Sequence, residues 1–180
     1  MLHFFTQDCG LQFGLTLTVC IVMFGNLSGA HFNPAVSLAF AIFRPSEMKV
    51  GELFAFIVAQ YIGATLGLGI LGLFYNGVIT QYEDDLGLPY RGEDSISPFR
   101  LYWANGMDEP YAFVTEFWGT FMLTMNVFFL TSDKMKSQFS TKNGVFFPIY
   151  IGVILCLLIN VIGILTGCGE WIRIVQDLYI

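Results

Sequence analysis

Leu27-Ser28-Gly29-Ala30-His31-Phe32-Asn33-Pro34-Ala35, with the apolar run Val36 to Phe43 behind it, is the stretch that decides how this chain folds. It follows an apolar segment of membrane-spanning length, but the run after Asn33-Pro34 holds only about ten apolar residues and is too short to cross a bilayer. Asn33-Pro34 reads as a helix start, with Pro34 in the first turn, where its missing N–H would be unpaired anyway. Arg44-Pro45 ends that helix. A helix of this length suits a re-entrant segment that dips into the bilayer and returns. Lipid cannot satisfy the polar groups of non-helical backbone, so such a dip must be buried in protein or line a water-filled space. The stretch is therefore a pore candidate.

The composition around it agrees. Hydrophobic residues make up 55% of the 180 positions, aromatics 17% and charges 12%, and the mean hydropathy is +0.64, far from an ordinary soluble domain. Four long apolar stretches run from Gly10 to Leu27, Val50 to Tyr75, Tyr111 to Thr131 and Val145 to Leu165, each near the ~20 residues that span ~30 Å of hydrocarbon. The expected fold is an all-α, multi-pass membrane protein with about four transmembrane helices and one re-entrant half-helix. A soluble fold would have to pack several almost uniformly apolar helices into one small core, and so short a chain has too much surface for that. Met1 to Cys9 contains no Lys or Arg and no small-residue cleavage site, unlike a secretory signal. Cys9, Cys20, Cys156 and Cys168 show neither CxxC spacing nor a nearby His cluster, so neither a metal site nor a cofactor is expected.

The net charge of −6 is unevenly placed. Residues 76–110 hold Glu83, Asp84, Asp85, Glu93, Asp94, Asp108 and Glu109 against Arg91 and Arg100, which reads as an acidic loop. Arg44 and Lys49, and then Lys134, Lys136 and Lys142, mark the connections on the other side, and the positive-inside rule puts those in the cytoplasm. The acidic loop then faces outward, and with four spans both termini share its side. A chain that begins there without a signal reads as one whose first span is absent. Nucleic acid is not an expected partner.

Gln60 and the run Gly63-Ala64-Thr65-Leu66-Gly67 sit in the second long stretch, where the Gly-xxx-Gly spacing reads as tight helix packing. Glu116, near the start of the third, is open to two equal readings. It is a functional ionisable group within the membrane, or a carboxylate that satisfies backbone N–H groups of a neighbouring loop. Laid over one another, Leu27-Ser28-Gly29-Ala30 and Leu165-Thr166-Gly167-Cys168 match as internal repeats do, each at the end of an apolar span. Continued, the register sets Asn33 against Trp171, Pro34 against Ile172 and Ala35 against Arg173, so the repeat fails where the half-helix begins. One copy would enter from each side of the membrane, as inverted repeats require.

Ser28-Gly29-Ala30-His31-Phe32-Asn33-Pro34-Ala35-Val36 resembles the first Asn-Pro-Ala box of the aquaporin, or major intrinsic protein, family. Ala59-Gln60-Tyr61-Ile62-Gly63-Ala64 is similar to that family's third helix, Thr115-Glu116-Phe117-Trp118-Gly119-Thr120-Phe121 to its fourth, and Leu165-Thr166-Gly167-Cys168-Gly169 to the approach to its second box. The resemblance implies six spanning helices and two half-helices meeting at the midplane. Against that pattern the chain starts at the second helix, and Glu170-Trp171-Ile172-Arg173 stand near the place of the second box. The first helix, second half-helix and sixth helix are thus expected to be missing. Residues 1–75 read as the remainder of the first repeat, 111–169 as the start of the second and 170–180 as a divergent tail. The outer constriction falls, by resemblance, on Phe13, Ile159 and Cys168. Its arginine position is Ile174, with Arg173 one residue earlier.

Such a pore does no bond chemistry, and no catalytic residue is expected; diameter, lining donors and electrostatic barriers select the solute. Asn33 would donate its side-chain N–H to a passing water oxygen, and the N-terminal end of the half-helix, carrying roughly +0.5 charge, would disfavour cations. Carbonyls around Ser28 to His31 would accept hydrogen bonds from a file of water. His31 reads as a residue pinning the loop, ahead of a gating proton site. The expected function is a channel for water or small neutral solutes such as glycerol that does not conduct as an isolated chain. The alternative is a non-conducting subunit that assembles with full-length relatives. The family resemblance implies a homo- or hetero-tetramer in a lipid bilayer. No nucleophile-base pair, phosphate loop or metal cluster points to an enzyme.

Overall fold

A computed structural model of the chain describes residues 9–85, 109–135 and 146–163. They form α1 (Cys9–Ser28), α2 (Pro34–Phe43), α3 (Val50–Asp85), α4 (Glu109–Leu130) and α5 (Phe146–Leu158), and α5 runs into a π-helical turn at Ile159–Gly163. Among the described residues there is no strand, as an all-α membrane fold requires. Gly10–Ser28, Val50–Phe74 and Pro110–Leu130 are each long and apolar enough to cross a membrane. Phe146–Ile162 is a shorter apolar helix.

The helix ends follow from local chemistry. α2 begins where Asn33, in extended conformation, caps the helix by accepting the Ala35 N–H, with Pro34 as its first residue. It stops at Phe43, and the Arg44 N–H closes the last turn on the Phe40 carbonyl. At the start of α3 the Glu52 carboxylate reaches back to the Lys49 N–H at 2.9 Å, one arm of a capping box that also sets a negative charge on the helix N-terminus. α4 starts on Glu109-Pro110, again with proline in the first turn.

Two expectations are corrected. The segment read as an acidic loop from residue 76 is helical to Asp85. Nothing between Asn76 and Asp85 breaks the helix as firmly as Gly87 and Pro89 just beyond it, and loop composition alone does not end a helix. The rest of that segment lies outside the described residues. The second correction concerns Gly63 and Gly67, around which there is open space among the described residues. α2 packs its apolar side chains on the first turns of α3, through Leu53, Phe56 and Ile57, and meets it again at Gln60, short of Gly63.

Close packing occurs instead where α1 crosses α5. A Cβ built on Gly152 would lie 2.5 Å from the Gly14 carbonyl oxygen, and one on Gly14 would lie 2.4 Å from the Gly152 oxygen. Thr18 crosses the same contact, its hydroxyl reaching the Gly14 carbonyl at 2.9 Å and the Pro148 carbonyl at 3.2 Å. Beside this crossing, Ile21, Leu130 and Ile151 join α1, α4 and α5 in one apolar cluster. A second cluster of Val36, Phe40, Met48 and Leu53 seats the half-helix against α3 and, through Val127 and Phe128, against α4.

Candidate functional site

The chain reverses direction between α1 and α2 over residues 29–33. Gly29 (φ 70°) and Ala30 (φ 54°) both lie in the left-handed region. The first is natural for glycine; the second costs an L-residue about 1–2 kcal/mol. Ala30 also packs its methyl against the Ile21 cluster. Ala30→Gly is therefore expected to be nearly neutral, because strain relief of about 1 kcal/mol is offset by a lost methyl worth about 0.8 kcal/mol. Ala30→Val is expected to destabilise by about 2 kcal/mol, since a β-branched side chain is poorly tolerated at that φ. Helical ellipticity followed through a denaturing-detergent titration reads both, and an Ala30→Val midpoint equal to that of the parent chain would contradict this account.

From this reversal the loop carries Asn33 onto the N-terminus of α2. Its Oδ1 accepts the Ala35 N–H at 2.8 Å. The partner is a donor, so the oxygen is fixed on that side and Nδ2, with its two N–H bonds, points the other way. The loop is held from behind by Gln60 of α3. Gln60 Nε2 donates to the His31 carbonyl oxygen and, at 3.0 Å, to Ser37 Oγ. Ser37 is fully buried, and its hydroxyl passes a longer hydrogen bond of 3.4 Å to the Asn33 carbonyl. Gln60 thus steadies both ends of the segment 31–33.

His31 stands over Phe40, with ring centroids 4.4 Å apart, and edge-on to Phe56 at 5.7 Å. Its Nδ1 is buried and has no hydrogen-bond partner among the described residues. Ring packing and the bond to its carbonyl, not a hydrogen bond at Nδ1, therefore hold His31. Gln60 Oε1 is likewise buried without a partner among the described residues.

Asn33, His31 and Ser28 to Ala30 line a cavity of about 1190 Å³ bounded by α1, α2, the start of α3, and α4 and α5. Of the carbonyls expected to face water, that of Ala30 accepts the Phe32 N–H and that of His31 accepts Gln60. Each keeps a second lone pair. Glu47 and Glu52 stand at the same cavity.

Phe13, Ile159 and Glu116 do not line this cavity. Phe13 is exposed on α1, and Ile159 is the half-buried first residue of the π turn. Glu116 is exposed on α4. Cys168, Arg173 and the second repeat segment Leu165 to Cys168 lie outside the described residues. Ser37 and Arg44 escaped the sequence reading as site residues, although a serine buried within an otherwise apolar half-helix was a signal.

Comparison with known proteins agrees with the geometry. The family model of the major intrinsic protein matches residues 4–170. Aquaporin NIP3-1 of Arabidopsis thaliana is 32% identical over 88% of this chain and 43% of its own length. Human aquaporin-9 is 28% identical over 87% of this chain and 51% of its own. The glycerol uptake facilitator protein of Haemophilus influenzae is 26% identical over 89% of this chain and 60% of its own. The chain thus spans about half the length of the curated relatives it matches. None of these names describes a non-conducting subunit. With a family match over most of its length and three helices of spanning length, the chain belongs to the major intrinsic protein family and is an integral, multi-pass membrane protein.

Proposed function

We propose that this chain contributes the Asn33 half of a passive pore for water or small neutral solutes such as glycerol. The observation that carries the reading is the capped half-helix. Asn33 Oδ1 is committed to the Ala35 N–H while the residue lines the cavity, so its amide hydrogens are presented to solute in a fixed direction. A neutral molecule with an oxygen acceptor satisfies them; a cation meets both those hydrogens and the positive end of the half-helix dipole. The relatives, aquaporins and a glycerol uptake facilitator by name, support the same solute class.

In this reading Arg44, Lys49 and Lys134 mark the cytoplasmic side and the acidic segment after α3 faces outward. The working assembly is a homo- or hetero-tetramer. Phe13, Ile159 and Cys168 contribute to the outer constriction, and the described residues supply one half-helix to a pore that uses two. The chain reconstituted by itself is accordingly expected to add no permeability to protein-free vesicles.

The test uses the chain in the assembly it keeps in its native membrane, reconstituted into vesicles and followed by light scattering under osmotic load. Shrinkage is expected to outpace protein-free vesicles. Asn33→Leu is expected to slow it about 2- to 10-fold, the effect of one net hydrogen bond of ~0.5–1.5 kcal/mol. Equal rates for the parent and Asn33→Leu would remove Asn33 from the conduction path.

A further inference from the structure

We propose that Arg44 is a positioning residue that sets the depth of the half-helix by joining its C-terminal end to that of α4. Arg44 is the C-cap of α2, its backbone N–H donating to the Phe40 carbonyl at 2.8 Å. Its guanidinium then crosses to α4. Nη1 donates to the Thr131 hydroxyl at 2.9 Å and to the Thr131 carbonyl at 3.2 Å, and Nη2 donates to the Phe128 carbonyl at 3.0 Å. The guanidinium carbon lies 5.3 Å from the centroid of the Phe40 ring and 4.8 Å from that of Phe128, and the two rings are 4.7 Å apart.

The chemistry suits the place. The last carbonyls of a helix lack intrahelical donors and carry partial negative charge, and here one residue serves two such ends, its backbone N–H closing α2 and its guanidinium bonding the carbonyls that end α4. The planar fork delivers two nitrogens to two carbonyls while its face covers aromatic rings, which a lysine ammonium cannot do. The Arg44 side chain is only 19% exposed, whereas Glu47, its ion-pair partner at 3.8 Å, is 48% exposed. A pair open to solvent on one side contributes little, so the carbonyls and rings hold the guanidinium in place. α2 is one unbroken helix of ten residues capped by Asn33 and Arg44, so holding its Arg44 end bears directly on where its Asn33 end stands.

The consequence for permeation rests on the pore reading above; the clamp itself does not. The test is hydrogen exchange by mass spectrometry on the full chain in lipid nanodiscs, comparing the parent with Arg44→Ala, Arg44→Lys and Glu47→Gln. Arg44→Ala is expected to speed exchange over residues 36–43 about tenfold while residues 10–28 and 150–158 stay within about twofold, a local opening and not a global one. Arg44→Lys is expected to fall between parent and Arg44→Ala, and Glu47→Gln to match the parent. Unchanged exchange at 36–43 in Arg44→Ala, uniform acceleration across all helices, or equal acceleration in Glu47→Gln would each overturn the assignment. Should Arg44→Ala fail to fold, parent-like exchange at 36–43 in Arg44→Lys would overturn it equally. Osmotic permeability of the same variants in the native assembly separates the two readings, since a working clamp with unaltered permeation counts against the pore and not against Arg44.

Discussion

Replacing Gly152 by alanine is expected to unseat the α1–α5 crossing and lower the stability of the chain by about 3 kcal/mol, at the upper end of the usual cost of overpacking. The new Cβ would stand 2.0 Å from Thr18 Oγ1 and 2.5 Å from the Gly14 carbonyl oxygen. The hydroxyl could rotate away, at the loss of its bonds to the Gly14 and Pro148 carbonyls. The Gly14 oxygen is backbone and cannot move unless the helices separate. Apolar side chains gain little by leaving lipid for one another, so close backbone approach supplies much of the attraction between spanning helices. Separating the axes forfeits it. Gly63→Ala serves as the control, because among the described residues nothing lies within 4 Å of a side chain added there. Denaturing-detergent titrations of the two variants should differ by most of the predicted amount; if Gly152→Ala unfolds at the same midpoint as Gly63→Ala, the crossing is not held as described.

That contrast shows what spacing can and cannot tell. Gly10 and Gly14 carry the same four-residue interval as Gly63 and Gly67. The first pair meets Cys156, Asn160 and Gly152 at close range, and the second meets nothing within 4 Å among the described residues. The motif records that a backbone permits close approach; which helix arrives is decided by connections far along the chain. The half-helix was more legible because its limits are local. Asn33-Pro34 caps one end and Arg44-Pro45 stops the other, and the observed bounds are Pro34 and Phe43. The end of α3 was less legible, since acidic residues suggested solvent while the breakers Gly87 and Pro89 stood further on.

The site divides in the same way. Asn33 was readable from its own triplet. The roles of Ser37 and Arg44 needed partners 23 and 87 positions away in sequence, which no local pattern encodes. The turn of π-helix at Ile159–Gly163 was also invisible, because it adds a residue to the turn without changing apolar character.

Exchanging Gln60 for methionine, similar in volume but unable to donate, is expected to lower stability by about 2 kcal/mol and to loosen the segment that carries Asn33. Two donated bonds are lost, to the His31 carbonyl and to Ser37 Oγ. Hydrogen bonds between membrane helices average only about 0.6 kcal/mol, with a maximum near 1.7, so the bonds alone account for roughly half of the effect. The remainder comes from the acceptors left behind in a buried setting, since Ser37 is fully enclosed. Removing Gln60 Oε1, a buried oxygen without a partner among the described residues, returns part of that cost and keeps the total near 2 kcal/mol and not 4. Ser37→Ala tests the chain of bonds. If Gln60 acts on Asn33 through the Ser37 hydroxyl, the double variant should be less unstable than the sum of the two single variants by about 1 kcal/mol. Strict additivity in detergent unfolding would mean that Gln60 holds only the His31 carbonyl, and that the Asn33 end of the loop depends on the α2 cap alone.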